Sequence, residues 1–172
     1  METKETLQKQ ITDVFDNFNT LFEKIEPELI NAEPKVGSWT IGQLGQHVAL
    51  ATMGLPDKKN KPADRPTDQF EQSIKETFLD HSQKFESPEF IAPLKKKYDQ
   101  KSILVVLESN KELLLRIIKE EQLDHLCLGT ELPGWGHLTR YEWIKLIIYH
   151  LQRHIQQLQK LKQSFYVAEQ LN

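Results

Sequence analysis

One stretch constrains this chain more than any other: His137-Leu138-Thr139-Arg140-Tyr141-Glu142-Trp143 and the helix it opens. Thr139, followed three residues later by Glu142, makes a capping box. The threonine hydroxyl takes a free amide of the first turn, and the glutamate reaches back to the cap amide. No Gly or Pro interrupts the chain beyond Trp143, so the spacing predicts a helix to about Lys162. At about 100° per residue, Trp143, Ile144, Ile147, Leu151, Ile155, Leu158 and Leu161 share one broad face. Lys145, Gln152, Gln156, Gln159 and Lys160 fall opposite, as on a helix that turns one side to a core.

His154 lies inside the apolar stripe and His150 at its edge. Spaced i, i+4, they stack one turn apart and can converge on one point. Two readings stand: core or boundary histidines with hydrogen-bond partners, or two ligands of one metal ion. A third ligand elsewhere would separate them.

At 172 residues the chain is read as one domain, residues 1–172, long enough to bury a core without a staple. A net charge of -3 with no strongly basic block gives no footprint for nucleic acid. The single cysteine, Cys127, rules out an internal disulfide or a cysteine zinc cluster, and is read as a small buried hydrophobe. The N-terminus lacks the order of a signal peptide, and no apolar run approaches membrane-spanning length. The expected location is the cytoplasm, with no membrane partner.

Residues from about 3 to 26 carry Leu7, Ile11, Val14, Phe15, Phe18, Leu21, Phe22 and Ile25 at helical spacing, read as core packing, with Pro27 closing the run and a loop through Pro34 and Gly37. Thr40 with Gln43 forms a second capping box. It opens a helix burying Ile41, Leu44, Val48 and Ala51, with His47 on the flank and Gly54 and Pro56 at the end. Gly42 and Gly45 are poor helix formers, expected to let another helix approach closely. Residues 55–67, with three prolines among lysines and aspartates, read as an exposed loop with solvated charges. Residues 68–80 read as a short helix with Phe70, Ile74, Thr77 and Phe78 on one side, followed by His81. Ser102 is the expected cap of a helix to about Glu121, whose apolar residues Ile103 to Leu107 and Leu113 to Ile118 imply burial on several sides. A long connection from Leu123 to Gly136 then returns to the anchor helix, a length that often helps to form a site. Strand signals are weak throughout.

This order predicts an all-α four-helix bundle, up-down with long crossover connections. If the second and last long helices face each other, His47, His150 and His154 converge inside it.

The sequence resembles the DinB/YfiT-like superfamily of metal-binding bundles. The likeness rests on Ser38-Trp39-Thr40 with His47 two turns on, and on Gly136 to Trp143 together with His150, Arg153-His154 and Gln157-Leu158. The resemblance implies a divalent metal, zinc or nickel, held by His47, His150 and His154. It also implies thiol S-transferase activity with bacillithiol or a related low-molecular-weight thiol, or hydrolysis of a small molecule, and a homodimer. Three imidazoles leave at least one position open for water or substrate. Trp39, His137 and Glu131 are candidates for the pocket or for contacts behind the ligands; Glu131, Asp124 and His137 are candidates for a general base. The alternative is a non-catalytic, stress-related bundle serving as a binding or dimerisation module, whose histidines only pack.

Overall fold

The computed structural model describes residues 1–34, 38–83 and 85–170, the last five of them as backbone alone. The expected loop through Gly37 therefore lies partly outside the described residues. In chain order come α1 (Lys4–Glu23), the single turn α2 (Pro27–Ile30), α3 (Ile41–Ala51), β1 (Asn60–Pro62), α4 (Glu71–Leu79), a 3-10 turn at Glu89–Ile91, α5 (Gln100–Glu120), β2 (His125–Cys127) and α6 (Arg140–Gln170).

The bundle is α1, α3, α5 and α6. α1 packs on α5 and α6, and α3 packs on the same two helices. Lys4 reaches the Lys119 carbonyl and Gln100 donates to the Phe22 carbonyl, so α1 and α5 are antiparallel. Lys145 bonds Gln10 and Lys162 bonds the Lys24 carbonyl, so α1 and α6 run parallel. Gly45 lies beside Ile103, and Asn110 donates to the Ala49 carbonyl, so α3 and α5 run parallel too. The path is up, down, down, up. A parallel pair needs a long return, and residues 52–99 supply it, carrying β1 and α4 on the way.

Local chemistry explains the elements. Thr3 caps α1, accepting the Thr6 amide at 3.2 Å. The phenylalanines of α1 are core, with Phe15, Phe18 and Phe22 all fully buried. Pro27 does not close that helix. It opens α2 at the first position, where its missing N–H has no helical partner to lose. Both bonds of the Thr40–Gln43 capping box are made, at 2.9 and 3.1 Å. The close approach expected at the glycines of α3 is real: a Cβ on Gly45 would sit 2.6 Å from the Phe22 ring.

α5 begins earlier than expected. Its cap is Asp99, whose carboxylate accepts the Ser102 amide at 2.8 Å and lies at the positive end of the helix. Burial on several sides is also corrected. Ile103, Leu107, Asn110, Leu114 and Ile118 form one buried stripe, while Val105 and Val106 are 70% and 42% exposed. In α4 only Ile74 is buried. β1 and β2 pair antiparallel, Asn60 with Cys127 and Pro62 with His125, three residues each and so too short to show alternation in sequence. Cys127 is fully buried, and that burial pushes its thiol up to about 12.

Lys58, Lys59, Lys61 and Asp64 of the 55–67 loop are exposed as expected, but Asp57, Arg65 and Lys145 are paired rather than solvated. In the 55–67 loop, Asp57 accepts from Arg140 at 2.8 Å, and Arg65 forks onto both oxygens of Glu142 at 2.9 and 2.7 Å. Glu142 has no exposed surface and also accepts the amides of Thr139 and Phe70, at 2.9 and 2.8 Å. On α6, Lys145 is only 3% exposed because α4 and the N-terminal segment cover it. Burial works against its ammonium, but the bonds to Glu71 and the charges of Glu71 and Glu2 hold its pKa above the ordinary value.

Arg65→Ala leaves the Glu142 carboxylate buried without its cation. Losing one partner of a buried pair costs roughly 3 kcal/mol. Urea unfolding should therefore show Arg65→Ala less stable by about that amount, with unchanged helicity; a loss below about 1 kcal/mol would mean that the pair is dispensable.

Candidate metal centre

α3 and α6 carry the site between them. The Thr139–Glu142 box starts α6, with the Glu142 amide on the Thr139 hydroxyl at 3.1 Å. Its register then places His150 and His154 on successive turns facing α3. α3, drawn in at its glycines, presents His47 from the other side. His47 is not on a boundary as expected; it is 3% exposed, and His154 is 6% exposed.

The three Nε2 atoms point at one another. His47 lies 3.3 Å from His150 and 3.1 Å from His154, and His150 lies 2.8 Å from His154. Two nitrogens about 2.0–2.1 Å from one ion stand roughly 2.8–3.4 Å apart for bond angles between 90° and 109°. All three separations fall in that span, and the three histidines form a group able to hold a metal ion.

The opposite ring edges assign the protons. Nδ1 of His47 donates to the Ile91 carbonyl at 2.9 Å, with the Ser87 hydroxyl at 3.3 Å. Nδ1 of His154 donates to Gln157 Oε1 at 2.9 Å. With their protons on Nδ1, both imidazoles turn lone pairs toward the same point. Two lone pairs 3.1 Å apart repel unless a cation lies between them. The donor set therefore fits a divalent cation, and the Nδ1 acceptors are the orienting contacts that such ligands use.

Electrostatics agrees. Burial lowers the pKa of His47, against the pull of the Ile91 carbonyl. Burial, then the neighbouring His154, His47 and Arg153, pushes His150 well below its ordinary value. Burial and His47 bring His154 to about 3. Neutral imidazoles are the form that binds metal.

Of the other candidates, Trp39 lies against His47, ring centroids 4.9 Å apart. Glu131 and Asp124 are exposed, and His137 turns Nδ1 to the Thr130 carbonyl at 3.0 Å. None of these three bonds the imidazoles. His81 is exposed, and His125 bonds Asn60. Sequence patterns do not reveal the Ile91 carbonyl, Ser87 or the aromatic neighbour Phe78, whose ring meets His150 edge to face at 5.5 Å. Gln157 alone had a signal, standing i+3 from His154 on the same helix.

A family model described as the DinB superfamily matches residues 10–158. The chain belongs to the DinB superfamily. A similar protein of Bacillus subtilis (strain 168), the uncharacterized protein YuaE, is 23% identical over 144 residues, 81% of this chain and 87% of its own length. The solved four-helix bundle protein TT2238 matches with a TM-score of 0.55 at 17% identity, over 92% of this chain and 99% of its own. That likeness shows the fold alone: a bundle of four helices. Among the described residues no helix is long and apolar enough to cross a membrane.

The histidine pKa shifts carry a sign. In metal-free protein the folded values lie below the unfolded value of about 6.5, so below that pH the unfolded chain binds more protons. Stability is full above about pH 6.5 and falls as pH drops toward about 3. After treatment with a chelator, unfolding at pH 5 should take up protons and at pH 8 should not. The His47/His150/His154 triple alanine variant should show a flatter acid limb; an identical limb would show that these groups are not buried neutral.

Proposed function

We propose that this protein is a divalent-metal-dependent enzyme acting on a small molecule, with zinc or nickel held by His47, His150 and His154. One observation carries the reading: three Nε2 atoms converge within 3.3 Å of one another, with protons drawn to the far ring edges of His47 and His154. Packing alone does not require that arrangement and would disfavour it. Bound there, a divalent ion supplies a Lewis acid that lowers the pKa of a thiol or water presented to it.

The chain's own residues orient and shield. The Ile91 carbonyl and Gln157 fix the His47 and His154 rings, while Trp39 and Phe78 flank the cluster. With only neutral imidazoles as protein ligands, the site keeps the ion's full charge and favours an anionic partner. Thiolate is the sharpest choice, since zinc and nickel bind sulfur well, and the family resemblance carried by the motifs from Gly136 to Leu158 implies low-molecular-weight thiols. Cys127 does not compete, because it is buried on β2 and stands outside the histidine group. A thiol S-transferase is therefore the first form of the proposal and a hydrolase the second. The single buried cysteine suits a reducing cytoplasmic compartment.

Purified protein should contain about one divalent ion per chain by elemental analysis, with His154→Ala weakening the site strongly. Equal metal in the wild type and the triple alanine variant would end the metal proposal. Titration calorimetry with bacillithiol or cysteine should show binding to the metal-loaded protein and not to His150→Ala. Comparing two buffers of different ionisation enthalpy should reveal proton release near neutral pH. If no thiol binds a metal-loaded sample, the hydrolase form takes its place.

We also propose that the partner is a second copy of this chain, through the outer face of α5 around Val105 and Val106. Sedimentation should show a dimer at moderate concentration; a 20.1 kDa species alone at high concentration would contradict it.

A further inference from the structure

The wall beside the histidines is made of rings rather than charges. Phe78, at the end of α4, meets His150 edge to face. On its other contacts it stacks with Phe85 at 6.0 Å and 24°, and with Trp135 at 6.5 Å and 25°. The Phe85 and Trp135 rings each lie within 25° of the Phe78 plane, and Trp135 comes from the connection before α6. Each ring is held from behind. Trp135 Nε1 donates to Ser73 Oγ at 3.0 Å. Arg153 lies over the Phe85 ring at 4.9 Å and donates to the carbonyls of Phe78, Asp80 and Gln83. That guanidinium is consumed by backbone and ring, so the cation nearest the cluster in sequence is not free for a substrate carboxylate.

These rings are not fully covered. Phe85 is 50% exposed, and Phe90, next to the Ile91 carbonyl that orients His47, is 76% exposed. Apolar walls with a few convergent polar groups are what a small-molecule site shows. Flat rings in parallel register select flat partners, because offset stacking adds to the burial of area.

We propose that the group seated beside the metal centre is a planar aromatic one, stacked in the array of Phe78, Phe85 and Trp135, with the substrate's polar head toward His47, His150 and His154. The proposal rests on the metal reading above and is indifferent to whether the reaction is thiol transfer or hydrolysis. It names an aromatic electrophile for the first and an aromatic ester or amide for the second.

Two small metal-binding probes test it on the full-length, metal-loaded protein: benzohydroxamate and acetohydroxamate, which share a head and differ in the ring. Calorimetry should show benzohydroxamate binding tighter by roughly tenfold, the stacking contribution expressed as affinity. In metal-loaded Phe78→Ala the ratio of the two affinities should fall most of the way to one. Phe85→Ala, at a half-exposed position that threatens the fold less, should reduce the preference in the same direction. Equal affinities in the wild type, or a preference that survives both variants, would overturn the aromatic subsite and leave the metal centre standing. Protein that holds no metal and binds neither probe would overturn both.

Discussion

The buried carboxylate of Glu142 is the constraint that fixes the geometry of the whole site. A charge with no exposed surface is tolerable only when every lone pair is used. Here Arg65 supplies the opposite charge, and the amides of Thr139 and Phe70 supply the remaining donors. These partners come from the crossover, the start of α4 and the start of α6. One side chain thus ties three separate segments at a single place. The first turn of α6 cannot slide or rotate without unpairing it, and the positions of His150 and His154 are set by counting turns from there.

The site combines rigid and irregular parts. α3 packs on α5 and α6, and α6 on α1 and α3, with Leu44, Val48, Ile147 and Leu151 almost fully buried. Those helices hold the three imidazoles. The surroundings come from the crossover: Ile91 and Ser87 behind His47, Phe78 beside His150 and Phe85 against Phe78. Catalytic geometry is most precise when its ligands sit on packed helices, and specificity changes most easily on connections. A bundle this general can therefore keep its three imidazoles in place while the walls vary.

That division bears on what the relatives mean. TT2238 shares the bundle at low identity, and YuaE aligns with most of this chain at 23% identity. Such likeness carries the helices and their order. It does not carry a substrate, because function resides in the side chains of a site and not in the fold that holds them.

The helices, their stripes and the three histidines are legible in the chain alone. Capping boxes at Thr40 and Thr139 are local, acting over three residues, and apolar periodicity reports one buried face whatever lies opposite. Those signals can be read because the interactions behind them stay within one helix. Which charges are buried was settled instead by the assembled fold. Lys145 stands on the polar face of its helix, and Arg65 and Asp57 stand in a loop rich in proline and lysine. Their partners are 74, 77 and 83 residues away, Glu71, Glu142 and Arg140 in turn. The fold also settled that Asp99 rather than Ser102 caps α5, and that Trp39 and Phe78 reach the histidines while Glu131, Asp124 and His137 do not. A buried polar contact depends on where two distant segments meet, and nothing in either segment alone records the meeting.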